Sequence, residues 1–128
     1  MEKLVQAAAV LLAYSWTAHL NIKGQLFWPY HKMLDKVYHD AIETVDRINE
    51  SAVQHGFVGR PTSESPHLEN VDIIDVLGDL KIIIHLFIDE LLKCKGTDEG
   101  VDNMIGDEAE KWSKWADYFI TRSISTKC

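Results

Sequence analysis

The sequence holds only two cysteines, Cys94 and Cys128, and no CxxC pair. So few thiols exclude a disulfide framework and point to a reducing cytoplasm. No apolar run approaches the roughly 18 residues that a membrane helix needs. Lys3 precedes an apolar run, Ala7 to Tyr14, but no A-x-A cleavage site follows it, so a secretory signal is not expected. Basic residues are in the minority. Thirteen Lys and Arg face twenty Asp and Glu, giving net charge −7. That balance argues against autonomous binding to nucleic acid or anionic membranes and suits the attraction of cations. There is no P-loop, no GxSxG elbow, no Cys/His nucleophile arrangement, no internal repeat and no low-complexity segment.

What is present is a globular composition, 46% hydrophobic and 26% charged, over 128 residues. That length suits one domain, 1–128, large enough to keep a real core. Leu4, Ala8, Leu11, Ser15 and Ala18 recur at helical spacing, and the pattern stops near Lys23-Gly24. A second helix starts near Pro29, which suits a first turn, and ends near Gly56. Its apolar stripe is Leu34, Val37, Tyr38, Ala41, Val45, Ile48 and Ala52. The stretch GFVGRPTSESPHLEN carries turn formers and reads as a long connection. A third helix covers Val71 to Cys94, although the run Ile82-Ile83-Ile84 also suits a strand. A fourth covers about Val101 to Thr121, with Ile105, Trp112, Trp115, Ala116 and Phe119 inward. Four helices with one long middle connection make an all-α, ferritin-like four-helix bundle.

The second helix carries the chemistry. With His31 at 0° and about 100° per residue, Asp35 falls near 40°, Asp46 near 60° and Glu50 near 100°, beside an apolar stripe centred near 300°. His31/Asp35 and Asp46/Glu50 are i,i+4 pairs, whose side chains meet on a helix. A hairpin returns His19, at the end of the first helix, to His31. Each residue alone is as well explained by a solvated face. Two histidines and three carboxylates sharing one flank suit iron or zinc. Yet His31 and Asp46 stand fifteen residues apart, about 22 Å along the axis at 1.5 Å per residue. Metal–ligand bonds of about 2 Å cannot close that gap. Two copies of the helix packed antiparallel across a two-fold axis can, and they make two equal sites. The ordinary intra-bundle di-iron pattern, Glu-x-x-His, occurs only at Glu64–His67, in the connection beside Pro66.

These segments resemble the Dps family, the mini-ferritins named for DNA-binding proteins from starved cells. HLNIKG supplies His19, YHKMLD supplies His31 and Asp35, and VDRINE supplies Asp46 and Glu50. HGFVGRP resembles the Gly-rich exit from the family's second helix. DEGVDNMI resembles the opening of its last helix, with Asn103 where Asp is common, and EKW at Glu110 resembles a weaker late motif. The resemblance implies a hollow homo-dodecamer with ferroxidase centres at two-fold interfaces. His19, His31 and Asp35 would come from one chain and Asp46 and Glu50 from its partner. It implies oxidation of Fe(II) by hydrogen peroxide or oxygen, storage of the ferric product, and protection from oxidative damage, with zinc as a substitute metal.

Three departures stand out. Leu20 replaces the aromatic that commonly follows the first histidine, with Trp16 and Trp28 nearby. The family's basic N-terminal tail has no counterpart, and RSISTKC is only mildly basic, so tight DNA binding is not expected. The connection after Gly56 is short for an extra helix on the dimer surface, although Val71 to Asp75 could supply a turn of one. The acidic run at the start of the last helix has two readings. It is either a set of acids favoured at a helix N-terminus, or a cation channel between subunits, with Asp98, Asp102 and Asp107 as candidates. His39, near 80°, shares the flank of the candidate site. A different function class also stays open: a structural or interaction protein that keeps the fold, binds zinc or no metal, and oxidises nothing.

Overall fold

A computed structural model describes residues 1–24, 27–68 and 71–124. Cys128 and the end of RSISTKC lie outside the described residues. Helix α1 spans Glu2–Asn21. It leads into a two-residue strand, β1 (Ile22–Lys23), and a turn at Gly24, whose φ of 124° favours glycine. Helix α2 spans Phe27–Gln54 without interruption. It closes on Gly56 (φ 86°), with Gly56 N–H bonded to Val53 O and Phe57 N–H to Ala52 O. That double bond is the Schellman stop, which uses up two of the helix's last carbonyls.

The connection that follows is pinned back onto α2. Asn49 accepts from the Arg60 amide and donates to the Arg60 carbonyl. Gly59 fits there because an added Cβ would meet Asn49 Oδ1 at 3.0 Å. The expectation of an extra helical turn over Val71 to Asp75 is corrected. Val71–Asp72 form strand β2, parallel to β1, with Ile22 opposite Val71 and Lys23 opposite Asp72. Asp72 then caps helix α3 (Ile73–Lys93) through the Ile74 amide at 2.9 Å. The Ile82-Ile83-Ile84 run is helical throughout. Asp98 caps helix α4 (Glu99–Lys114) through the Val101 amide. The chain continues through a π-helical segment, Trp115–Ile120, into the short helix α5 (Thr121–Ile124).

The core is where the four stripes meet. Leu4, Leu11, Leu34, Ile48, Leu77, Leu80, Ile84, Phe87, Ile105 and Trp112 have essentially no exposure. The second-helix stripe holds, with Thr44 added to it. Thr44 is buried because its hydroxyl accepts the Trp112 indole N–H at 2.9 Å. The fourth stripe departs from expectation at its end. Trp115 is half-buried and Phe119 is 46% exposed, while Ile120 is fully buried. The wider π turn is the cause. It delays the helical rotation, so Trp112, Ala116 and Ile120, each four residues on, keep one heading. Thr121 supports the bulge by donating to the Ala116 carbonyl at 2.7 Å.

Helices α2 and α4 run antiparallel along a polar seam. Its partners are His55–Asp98, Arg47–Asp107, Thr44–Trp112, Asp40–Trp115 and Tyr30–Ser123. As one number falls the other rises by nearly the same amount, so the register is fixed end to end. Among the described residues the four long helices pack together, and α2 buries one stripe while its opposite flank stays exposed.

Candidate metal centre

His19 sits in the last turn of α1 and His31 near the start of α2. The hairpin brings their rings into a stack, centroids 4.1 Å apart. His31 Nδ1 lies 3.0 Å from the His19 carbonyl oxygen. A carbonyl only accepts, so Nδ1 carries the hydrogen and Nε2 presents its lone pair. Asp35 follows one turn later, its Oδ1 3.6 Å from His19 Nε2 and 3.5 Å from His39 Nδ1. These are ion-pair distances, too long for hydrogen bonds. His39 Nδ1 donates instead to the Asp35 carbonyl at 2.7 Å, which leaves its Nε2 free to accept. His39 thus joins the cluster, and its only sequence signal was its angle on the helix.

The cluster is walled by aromatic rings. Phe27 and Trp28 flank His31, at 5.0 and 6.1 Å between centroids. Tyr38 lies 5.4 Å from His19, and Trp16 stacks on Tyr38. His19 Nδ1 is buried with no hydrogen-bond partner in the chain. Burial, and then the neighbouring His31, push the His19 pKa below its ordinary value, with Asp35 pulling the other way. The ring is therefore held in the neutral form that ligates metal ions.

Asp46 and Glu50 lie on an exposed stretch of α2. Their carboxyl groups are close enough to hydrogen-bond, and that contact together with their mutual repulsion raises the Glu50 pKa. A cation between them would relieve the repulsion. The five sequence-predicted residues thus fall into two groups. His19, His31 and Asp35 come together. Asp46 and Glu50 come together elsewhere on the same helix. Among the described residues of one chain, no three His, Cys, Asp or Glu side chains are grouped to hold a metal ion.

Between and around the two groups lies exposed apolar surface: Trp16, Leu20, Trp28, Ile42, Val53 and Val58, the last 85% exposed. Asp46 itself borders a shallow groove with Leu12, Ile42, Val45, Asn49 and Pro61.

Each channel candidate has a partner within the chain. Asp98 caps α4 and binds His55, Asp102 accepts from the Gly96 amide at 2.9 Å, and Asp107 pairs with Arg47 at 2.9 Å. Two histidines for which the sequence offered no partner, His55 and His85, meet Asp98 and Asp117. No helix among the described residues is long and apolar enough to cross a membrane.

No protein-family model matches the sequence, and no curated protein matches it. Solved structures do. The chain superposes on antigen TpF1 from Treponema pallidum with TM-score 0.84 at 18% identity, covering 98% of this chain and 90% of that one. Dps from Mycobacterium smegmatis matches with TM-score 0.74 at 15% identity, over 98% and 87% of the two chains. Dps from Microbacterium arborescens, solved in its high iron form, matches with TM-score 0.69 at 18% identity, over 94% and 87%. The expected ferritin-like bundle is thus the fold of the chain, in its Dps form.

Proposed function

We propose that this chain, which has the Dps fold, assembles into a mini-ferritin cage that oxidises Fe(II) and stores the ferric product. Each ferroxidase site would take His19, His31 and Asp35 from one subunit and Asp46 and Glu50 from its two-fold partner. One observation carries the reading. His31 and Asp35, with His19 of α1 brought beside them by the hairpin, and the carboxylate pair Asp46 and Glu50 stand toward opposite ends of one unbroken helix, Phe27–Gln54. His31 and Asp46 are about 22 Å apart at 1.5 Å per residue. Among the described residues of one chain, neither group is arranged to hold a metal ion by itself. Antiparallel packing of two α2 helices sets each group against its complement, and a two-fold axis does so twice. The apolar side chains around both groups, Trp16, Leu20, Ile42 and Val53 among them, are what such packing would cover. The iron-loaded Dps of the same fold supports the choice of substrate.

Fe(II) would enter as substrate. The carboxylates of Asp35, Asp46 and Glu50 supply the charge that attracts it and that stabilises the ferric ion more than the ferrous one. The neutral His19 ring supplies a nitrogen donor without first expelling a proton, and His31, whose Nδ1 is turned to the His19 carbonyl, offers Nε2 as a second. Phe27, Trp28 and Tyr38 stand beside the histidine rings, and two-fold packing over them would limit water there. Hydrogen peroxide accepts two electrons, one from each of two ferrous ions. Oxygen is the alternative acceptor. Asp98, Asp102 and Asp107 are read as helix-start acids with local partners rather than as a channel.

A second reading keeps the fold and drops the chemistry: a structural assembly that binds zinc or nothing. One experiment separates the two. Particle mass is measured, Fe(II) is added without air, and peroxide or oxygen follows. The proposal expects a particle of about twelve subunits and ferric absorbance rising well above the protein-free rate, slowed by zinc. A monomer, or oxidation no faster than buffer, would contradict it.

A further inference from the structure

We propose that His55 and Asp98 form a proton-dependent clasp between the C-terminal end of α2 and the N-terminal end of α4. It is tight while His55 is an imidazolium and weakened when the ring is neutral, because a neutral ring keeps only one of its two bonds.

His55 is the residue on which α2 stops. Its Nδ1 lies 2.8 Å from the Ser51 carbonyl oxygen and its Nε2 lies 2.7 Å from Asp98 Oδ2. Carbonyl and carboxylate oxygens only accept, so both contacts are hydrogen bonds only if both ring nitrogens carry hydrogen. A neutral ring keeps one bond and turns a lone pair against an oxygen in the other.

The helix ends favour the same charge state. A cation at the end of α2 and an anion at the start of α4 each complement the local backbone dipole. The groups acting on the ring are the Ser51 carbonyl from α2 and the Asp98 carboxylate from α4, and together they raise the His55 pKa against a small opposing effect of burial. Asp98 is held ionised by the Val101 amide first, then by His55, and its pKa is lowered.

The carboxylate has a second task. Asp98 Oδ1 accepts from the Val101 amide at 2.9 Å and so starts α4. Asp102, one turn on, holds the Gly96 amide at 2.9 Å and fixes the turn before it. Loss of the charge on His55 loosens its hold on the capping carboxylate and weakens the tie between the start of α4 and α2. The sign follows from the raised histidine pKa. The clasp stabilises below histidine's ordinary value of about 6.5 and is lost as pH rises through the higher folded value.

Hydrogen exchange followed by mass spectrometry on the assembled protein tests this at about pH 6 and about pH 9, on either side of histidine's titration, with rates corrected for intrinsic pH dependence. Protection over residues 96–102 should fall by roughly threefold or more at the higher pH, relative to residues 104–112 of the same helix. His55→Gln keeps a side-chain donor but cannot titrate, so it should show no such change. His85→Gln removes another exposed His–Asp pair, His85–Asp117, and should respond like the wild type. Equal relative protection of the wild type at both pH values would overturn the clasp, with no variant needed. So would the same loss in His55→Gln, or its disappearance in His85→Gln.

Discussion

His19 lies where two opposing effects meet. Burial and the His31 ring disfavour its charged form, while Asp35 favours it, and the net shift is downward. A histidine whose folded pKa is depressed costs nothing at pH 8, where it is neutral folded or unfolded. As pH falls through about 6.5 the unfolded chain takes up the proton first. The wild type should therefore lose urea resistance on acidification through that range, and His19→Asn should lose less. A midpoint that falls as much in the variant would remove His19 as the cause.

Thr44 makes a second test at this scale. Its hydroxyl accepts the buried Trp112 indole N–H at 2.9 Å. Thr44→Val keeps the shape and strands that donor, at a cost of about 1–3 kcal/mol in denaturant unfolding. His19, His31 and Asp35 were legible in the sequence because a hairpin and an i,i+4 step put them together. Thr44 was not, since threonine on a core stripe shows its meaning only when an indole arrives from residue 112. His55 was hidden for the same reason, its partner lying at residue 98.

At the scale of elements, the helix periods announced all four long helices, and the turn formers announced the long connection. The β1–β2 ladder had no signal: two residues on each side make no period, and β2 had been grouped with the helix it precedes. The π segment was equally silent, because a bulge appears in sequence only as a phase slip between neighbouring stripes. Its consequence is measurable. Ile120 is fully buried whereas Phe119 is 46% exposed and packs against the rings of Trp115 and Tyr118. Ile120→Ala should cost about 2–5 kcal/mol. Phe119→Ala should cost below about 1 kcal/mol, as for an exposed position. Comparable losses at the two positions would mean that the helix keeps its α register to the end.

The whole molecule carries net charge −7 per chain, and an assembly multiplies that charge. A polyanionic surface releases no counterions from DNA, so no submicromolar binding is expected in a mobility-shift experiment at about 150 mM salt without added metal. A shifted complex under those conditions would show a basic patch that the charge balance hides. The fold was readable at this scale through the count of helices and the place of the long connection. The proposed sharing of a site between chains was readable only as a contradiction, four of the five candidate ligands standing on one helix too long to bring them together.

That contradiction sets the decisive measurement. His31→Ala and Asp46→Ala should each abolish fast Fe(II) oxidation in pure assemblies, since every site then lacks one group. In a mixed two-fold pair, one site receives both defects, but the other receives an intact histidine group from one chain and an intact carboxylate pair from its partner. Random co-assembly makes half of the pairs mixed, each with one good site of two, so activity should return to about a quarter of wild type. If mass spectrometry confirms mixed assemblies and their activity stays at that of the two inactive parents, the site is not shared between subunits as proposed.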